Sequence, residues 1–462
     1  MGAMEVPEGA LYGASTQRAV LNFPISGHST PPAFIHGLGL IKGACAAVNA
    51  ELGRLSCEKA RLIQDAADEI AVGKWDDHFP VDVFQTGSGT SSNMNINEVI
   101  ANRVSQMRGE PIGSKKPVHP NDDVNLGQSS NDVIPTALHV STAFVLRTRL
   151  IPALEHLADT LADKADMFKG VVKVGRTHLM DATPLTLGNV FSGYVTQACK
   201  AVKRARSAVD CLKELAIGGT AVGTGINGHP GFASKVCGLL AERTGIPFVE
   251  TGNHFEAQSA RDGSVEVAGL FTTIAASLIK IANDIRWLGS GPRCGLGELV
   301  LPATQPGSSI MPGKVNPVMS EMLVQVGLYV TGLCQTVAAC GRDGHFELNV
   351  TLPLIAYALH ESITVLSNGA RTFADRCVAG LEANAVRCRE LVDQSLMLVT
   401  ALNPYIGYDK AAEVAKAAFA ENKTLREAVL ERKLLDEATL DKALNLEAMI
   451  ALGPANDEKG PG

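Results

Sequence analysis

Aromatic residues make up only 5% of this 462-residue chain and charged residues only 19%, while hydrophobic residues reach 46%. That balance excludes an intrinsically disordered chain. With so few aromatics, Ala, Val and Leu must fill the interior, which suits close helix packing. Positive charge is also in short supply: 41 Lys and Arg against 48 Asp and Glu give a net charge of −7. Such a chain offers no basic surface to nucleic acid or to an anionic membrane. The ten cysteines stand singly, without a CxxC pair. They read as reduced, mostly buried thiols, and neither a structural zinc nor an iron–sulfur site is expected. The N-terminus lacks a basic flank ahead of an apolar core and lacks an Arg-rich amphipathic stretch, so the expected location is cytoplasmic. The only uncharged stretch of membrane length, Met322 to Gly341, contains two glutamines and three glycines and reads as a bundle helix.

Helical periodicity is what the chain does have. Val267, Leu270, Ile274, Leu278, Ile281, Ile285 and Leu288 form a stripe with steps of three and four. No proline interrupts residues 254–288, which predicts a rod about 52 Å long at about 1.5 Å per residue. A second stripe runs Leu146, Leu150, Leu154, Leu157 and Leu161, with Asn131 and Asp132 as candidate caps and Pro135 in the first turn. Leu185 to Leu215 and Val318 to Cys340 are also proline-free. Four long helices are therefore expected between about residues 130 and 385, and apolar rods of that length need a bundle, with further packing between subunits. Shorter amphipathic pieces follow at Asp409 to Phe419 and Thr424 to Arg432, and the final GPANDEKGPG reads as a frayed tail. The expected class is all-α. The absence of strand–helix alternation argues against a Rossmann or TIM architecture.

Between the rods lie polar segments that read as loops: TGSGTSSNMNIN, HPNDDVNLGQSSND, GRTHLMDATPLTLG, GGTAVGTGINGHPG and GSSIMPGKVNP. The last places Ser308, Ser309, Lys314 and Asn316 ahead of a helix. Its backbone N–H groups, the helix N-terminus and the Lys314 ammonium suit an anion. Thr177 and His178 lie beside Arg176 and Asp181. A histidine can pass a proton to or from water if a carboxylate fixes its tautomer, and Glu321, seven residues beyond Lys314, is a candidate. Ser88, Thr90 and Asn93, with Ser129, Ser130 and Asn131, are short donors that suit small carboxylates or, equally, cap loops. GGTAVGTGIN follows a helical stretch rather than a strand, which argues against a dinucleotide site, and GxxxxGK[ST] does not occur.

On these residues the chain resembles the fumarase/aspartase superfamily, and within it the class II fumarases, over almost its whole length. GSSIMPGKVNP is similar to the superfamily signature. HPNDDVNLGQSSND, SGPRCGLGE, FELNV and SLMLVTALNPYIGYDKAAE are similar to fumarase segments. Aspartate ammonia-lyases, the alternative, usually carry Gln where His178 stands. The resemblance implies three domains, here placed at residues 1–128, 129–385 and 386–462, and a homotetramer whose active sites are each shared by three subunits. It implies reversible anti addition of water to fumarate to give (S)-malate, a step of the tricarboxylic acid cycle, without metal or organic cofactor. Ser308 is then the base, and His178, supported by Glu321, activates water. Ser88, Thr90, Ser129, Ser130, Asn131, Thr177, Ser309, Lys314 and Asn316 bind substrate. Lys116, His119, Asn121 and Asp122 match a second dicarboxylate site. Met180, Lys116 and His254 stand where relatives often carry Gln, Arg and Lys.

Overall fold

A computed structural model of the chain describes residues 4–451; the GPANDEKGPG tail lies outside them. The protein is 63% helical, and among the described residues the strands form one hairpin and a few two-residue pairings. Long helices cover Ile151–Met167, Leu187–Asp210, Asp262–Leu288, Val318–Arg342 and Leu352–Arg376. The last is missing from the sequence reading. Its Pro353 is harmless in the first turn, where the absent N–H has no partner to lose.

Two expectations need correction. The proline-free run from residue 254 is not one rod. Asn253 caps a short helix, His254–Ser259, through its Oδ1, and Ala260 then turns extended with ψ 156°. The rod proper, Asp262–Leu288, has 27 residues and spans about 40 Å. The second concerns capping. Ser129, not Asn131, caps the helix Ser130–Val145. Its Oγ accepts from the Asn131 N–H while the Asp132 carboxylate accepts from the Ser129 N–H, which closes a capping box. A π-helical turn at Leu146–Leu150 then carries the chain into Ile151–Met167.

The chain divides into two compact units. The first comprises Met1–Ala153, Ala201–Ala276 and Gln325–Asn368. Its helix Pro32–Glu51 packs on Cys57–Ala71, Ser130–Val145 and Phe232–Thr244. Leu38, Ile41, Ala66 and Ala67 are wholly buried there, the small-aliphatic interior that the composition predicts. Helix Thr90–Met107 lies in the same unit. Its buried Glu98 accepts from the N–H groups of Gly13, Ser15 and Thr16, placing negative charge at the positive end of Ala14–Asn22.

The second unit comprises Leu154–Lys200, Ser277–Val324 and Gly369–Gly462. Its antiparallel hairpin, Val172–Thr177 with Met180–Thr186, packs against the helix Ala385–Gln394 and the short helices that follow. Val174 sits in an apolar cluster with Val392, Leu402, Val414, Leu425 and Val429. All ten thiols are free, and Cys45, Cys237, Cys334, Cys340, Cys377 and Cys388 are buried. Among the described residues three helices are long and apolar enough to cross a membrane: Pro32–Glu51, Asp262–Leu288 and Val318–Arg342. Only the last contains an uncharged stretch of that length, because Lys42 and Lys280 interrupt the other two.

Candidate active site

The expected site residues fall into two groups, one in each unit. In the first unit Ser88 and Thr90 stand at the head of the helix Thr90–Met107, so TGSGTSSNMNIN is a helix start rather than a free loop. The chain makes this turn only because residue 87 is glycine: a Cβ there would meet the Val350 carbonyl oxygen at 1.7 Å. Leu352 N–H donates to the Gly87 carbonyl from the same strand of chain. Ser88 Oγ and Thr90 Oγ1 lie 2.9 Å apart and share a hydrogen bond.

Ser130 joins this cradle from a different helix. Asn93 Nδ2 donates to Ser130 Oγ and to Asn125 Oδ1, both at 3.2 Å. Beneath them lies Lys42, a wholly buried lysine. Its Nζ donates to Asn125 Oδ1 and to Gln128 Oε1, both at 2.9 Å. Burial pulls the Lys42 ammonium down to about 8, while Cys45 and Asp132 favour its charged form. Asp132 is buried as well, and burial raises its carboxyl against the N–H donors of Ser129, Thr220 and Gly218. Asn131 Nδ2 donates to the Ala221 carbonyl. Through these bonds the GGTAVGTGIN segment buttresses the cradle. Lys42, Asn125 and Gln128 were missed at the sequence level; an isolated Lys inside an otherwise apolar helix was the available signal.

The residues of the second expected site lie on a π-helical turn, Pro120–Val124, capped by His119, whose Nδ1 accepts from the N–H groups of Asn121 and Asp122. The neighbouring Asp123 accepts from the His119 N–H and pairs with Lys59 at 2.8 Å. Lys116 is exposed. His254, another departure from relatives, is tied down by Glu250 and the Ala216 carbonyl, both at 3.1 Å.

In the second unit Thr177 ends one strand of the hairpin and His178 with Leu179 forms its two-residue tip. Both tip residues have positive φ, 56° and 63°, the geometry of a type I′ turn. The usual Asn-Gly signature is absent, which is why the segment reads as a loop in the sequence. Met180 pairs with Thr177 across the tip. The hairpin is pinned near its end by Glu298 of SGPRCGLGE, wholly buried, which receives Arg176 Nη1 at 2.9 Å and Lys173 Nζ at 3.3 Å. Two cations around one buried carboxylate fix the register two residues before His178. Glu298 and Arg176 thus belong to the site's framework.

The GSSIMPGKVNP segment, by contrast, is exposed and irregular. It closes on itself: Gly307 N–H donates to the Lys314 carbonyl at 2.9 Å, and Asn316 Nδ2 donates back to the Gly307 carbonyl at 2.5 Å. A Cβ at Gly307 would meet the Lys314 oxygen at 2.2 Å, so this closure requires glycine. Inside it, Ser308 Oγ accepts from the N–H groups of Ile310 and Met311 at 3.2 and 3.0 Å. Two N–H dipoles facing a hydroxyl oxygen favour its negatively charged form. Ser309 and Lys314 are exposed, and the Lys314 ammonium has no acidic partner among the described residues. A cavity of about 600 Å³ adjoins the segment, lined by Arg286, Trp287, Lys314 and Asn316. Glu321 lies in the first turn of Val318–Arg342 and is exposed. No hydrogen bond or ion pair joins the Glu321 and His178 side chains within the described residues of one chain.

A family model described as lyase matches residues 2–332, and one described as the fumarase C C-terminus matches residues 398–451. A protein of Thermosynechococcus vestitus named fumarate hydratase class II is 52% identical over 97% of this chain and 96% of its own. Its namesake in Nitrosomonas europaea is 53% identical over 93% of both. Among solved structures, the recombinant class II fumarase of Schistosoma mansoni superimposes with a TM-score of 0.93 at 41% identity, covering 96% of each chain.

Proposed function

The chain belongs to the class II fumarate hydratase family of lyases, and from that premise we propose how its residues carry the reaction. The enzyme is a hydro-lyase that interconverts fumarate and malate. In the direction of dehydration a base removes a proton from the carbon beside a carboxylate, a very weak acid, and the charge moves onto that carboxylate. Ser308 is the base. The single observation that carries this assignment is the pair of N–H donors aimed at its Oγ, because they stabilise the alkoxide that an isolated serine could not hold. Lys314, Asn316 and the start of Val318–Arg342 supply positive potential for the dianion; one such preorganised donor is typically worth about 3 kcal/mol. Ser309 adds a hydroxyl from the same segment.

On the opposite face His178 works through water on the departing hydroxyl, so that elimination is anti, and Glu321 holds its tautomer. Thr177, Ser88, Thr90, Ser129, Ser130 and Asn131 bind the substrate carboxylates. The enzyme is a homotetramer in which each site draws residues from three subunits, each organised as residues 1–128, 129–385 and 386–462; His178 and Glu321 are both exposed and so open to residues of another subunit. The turn carrying His119, Asn121 and Asp122, with Lys116 nearby, forms a second dicarboxylate site.

The test is the fumarate absorbance of the purified enzyme, followed with malate and again with ammonium supplied to fumarate. Turnover with water alone is expected; turnover only with ammonium points instead to an ammonia-lyase. Subunit sharing is checked by mixing Ser308→Ala and His178→Asn tetramers. Exchange should restore activity through hybrid sites, and none after proven exchange speaks against sharing.

A further inference from the structure

A lysine has only donors, and that fact gives Lys42 a direction to impose. Its Nζ meets two side-chain oxygens, Asn125 Oδ1 and Gln128 Oε1. Asn125 must therefore turn its oxygen toward the lysine, and its Nδ2 correspondingly donates to the Gln128 carbonyl at 3.1 Å. The same Asn125 oxygen accepts from Asn93 Nδ2, so Asn93 also presents its nitrogen on that side. That nitrogen donates to Ser130 Oγ. The Ser130 oxygen is occupied from below as an acceptor, and its O–H remains to donate outward. Reversing the Asn125 amide would turn its nitrogen on the Lys42 ammonium and the Asn93 amide nitrogen, and its oxygen on the Gln128 carbonyl, so the lysine and that carbonyl together make one orientation the stable one. Lys42 and Asn93 are both buried, at 0% and 2% exposure, so water is not available to substitute for a lost partner.

We propose that Lys42 is a positioning residue that sets the donor polarity of the Ser130 hydroxyl, through Asn125 and Asn93, so that the cradle accepts a dicarboxylate. The inference rests on the hydratase reading above and names a residue in it that touches no substrate. Neutral lysine acquires a lone pair and loses its charge, which weakens the hold on the Asn125 oxygen and leaves the Gln128 carbonyl as the anchor of that amide. Deprotonation above about pH 8 therefore relaxes the polarity as well as removing a charge. The titratable groups acting on Lys42 are Asp132 from Ser130–Val145 and Cys45 on its own helix. Cys237 of Phe232–Thr244 acts in turn on Cys45. The Asp68–Arg243 pair lies beside Gly43 on the same helix.

The experiment measures kcat and KM for fumarate, and the inhibition constant of succinate, in the wild type and in Lys42→Met, Lys42→Arg and Asn125→Ala, each checked for fold by circular dichroism. Lys42→Met should raise KM and the succinate constant about tenfold, the loss of roughly one charge-assisted hydrogen bond, and leave kcat much less changed. Lys42→Arg, still an obligate donor, should recover most of the affinity and move the alkaline rise of KM, expected in the wild type from about pH 8, to higher pH. Unchanged KM and succinate inhibition in folded Lys42→Met overturn the proposal, as does Lys42→Arg no better than Met. If Lys42→Met does not fold, Asn125→Ala decides: it keeps the lysine and breaks the relay, so an unchanged KM overturns the proposal. An inactive wild type, by contrast, marks the failure of the hydratase reading itself.

Discussion

The serine cradle of the first unit and the signature segment of the second are built from the same small polar residues, yet they are held in opposite ways. The cradle stands on buried side chains. Lys42 and Asn93 are buried beneath Ser130 and joined through the half-buried Asn125, and the buried Asp132 holds the backbone of Ser129, Gly218 and Thr220 beside them. The signature segment is exposed and relies on its own backbone, with Gly307, Lys314 and Asn316 closing a ring around Ser308. The hairpin of His178 follows a third solution, a buried carboxylate between two cations. Groups that recognise unchanging carboxylates can be fixed by a costly buried network. On the proposed reading Ser308 must change its charge, and it is served by backbone dipoles, which stay in place whichever form it takes.

That contrast can be broken at several points. Ser308→Ala should lower kcat by roughly 10²- to 10⁴-fold, the range for loss of a proton-transfer group, and leave the melting temperature unmoved, since only two N–H groups at an exposed segment lose their acceptor. Near-normal turnover would remove the base assignment. Glu298→Gln should cost about 3–5 kcal/mol, because it strands Arg176 and Lys173 beside a neutral group in a buried site; chemical denaturation measures it, and a loss under 1 kcal/mol denies the hairpin its ionic anchor. Asp132→Asn should cost about 1–3 kcal/mol through poorer acceptance from Ser129, Gly218 and Thr220, with KM rising more than kcat falls. An effect on kcat alone erases the distinction between cradle and loop. The smallest change is Leu179→Gly, expected to gain up to about 1 kcal/mol by relieving a side chain at positive φ. No gain in a thermal melt means the tip is not strained.

The segments of the candidate site stand out in the sequence as polar stretches between helical runs, and how much of their structure is legible there differs for each. GSSIMPGKVNP carries its closure in its own letters, because a glycine, a lysine and an asparagine within ten residues suffice to make it. His178 was legible as a residue but not as a hairpin tip. Its strands are stabilised by Val174 packing on helices more than 200 residues later and by Glu298, and no local pattern encodes those partners. The break at Ala260 likewise escaped a proline count, since Asn253 starts a helix that extended backbone at Ala260 then stops.

Period and composition alone determined that this chain is a bundle of apolar helices, because a stripe of small aliphatic residues has no other stable partner than a neighbouring stripe. They also marked the polar segments between the helices in which the candidate site residues fall. Which way those segments face, what supports them, and that a lysine in the middle of an apolar helix is linked through two asparagines to a serine 88 positions away were decided only by the tertiary structure. Hydrogen-bond polarity and desolvation depend on which groups folding brings within 3 Å of each other, and that neighbourhood is not written in any window of sequence.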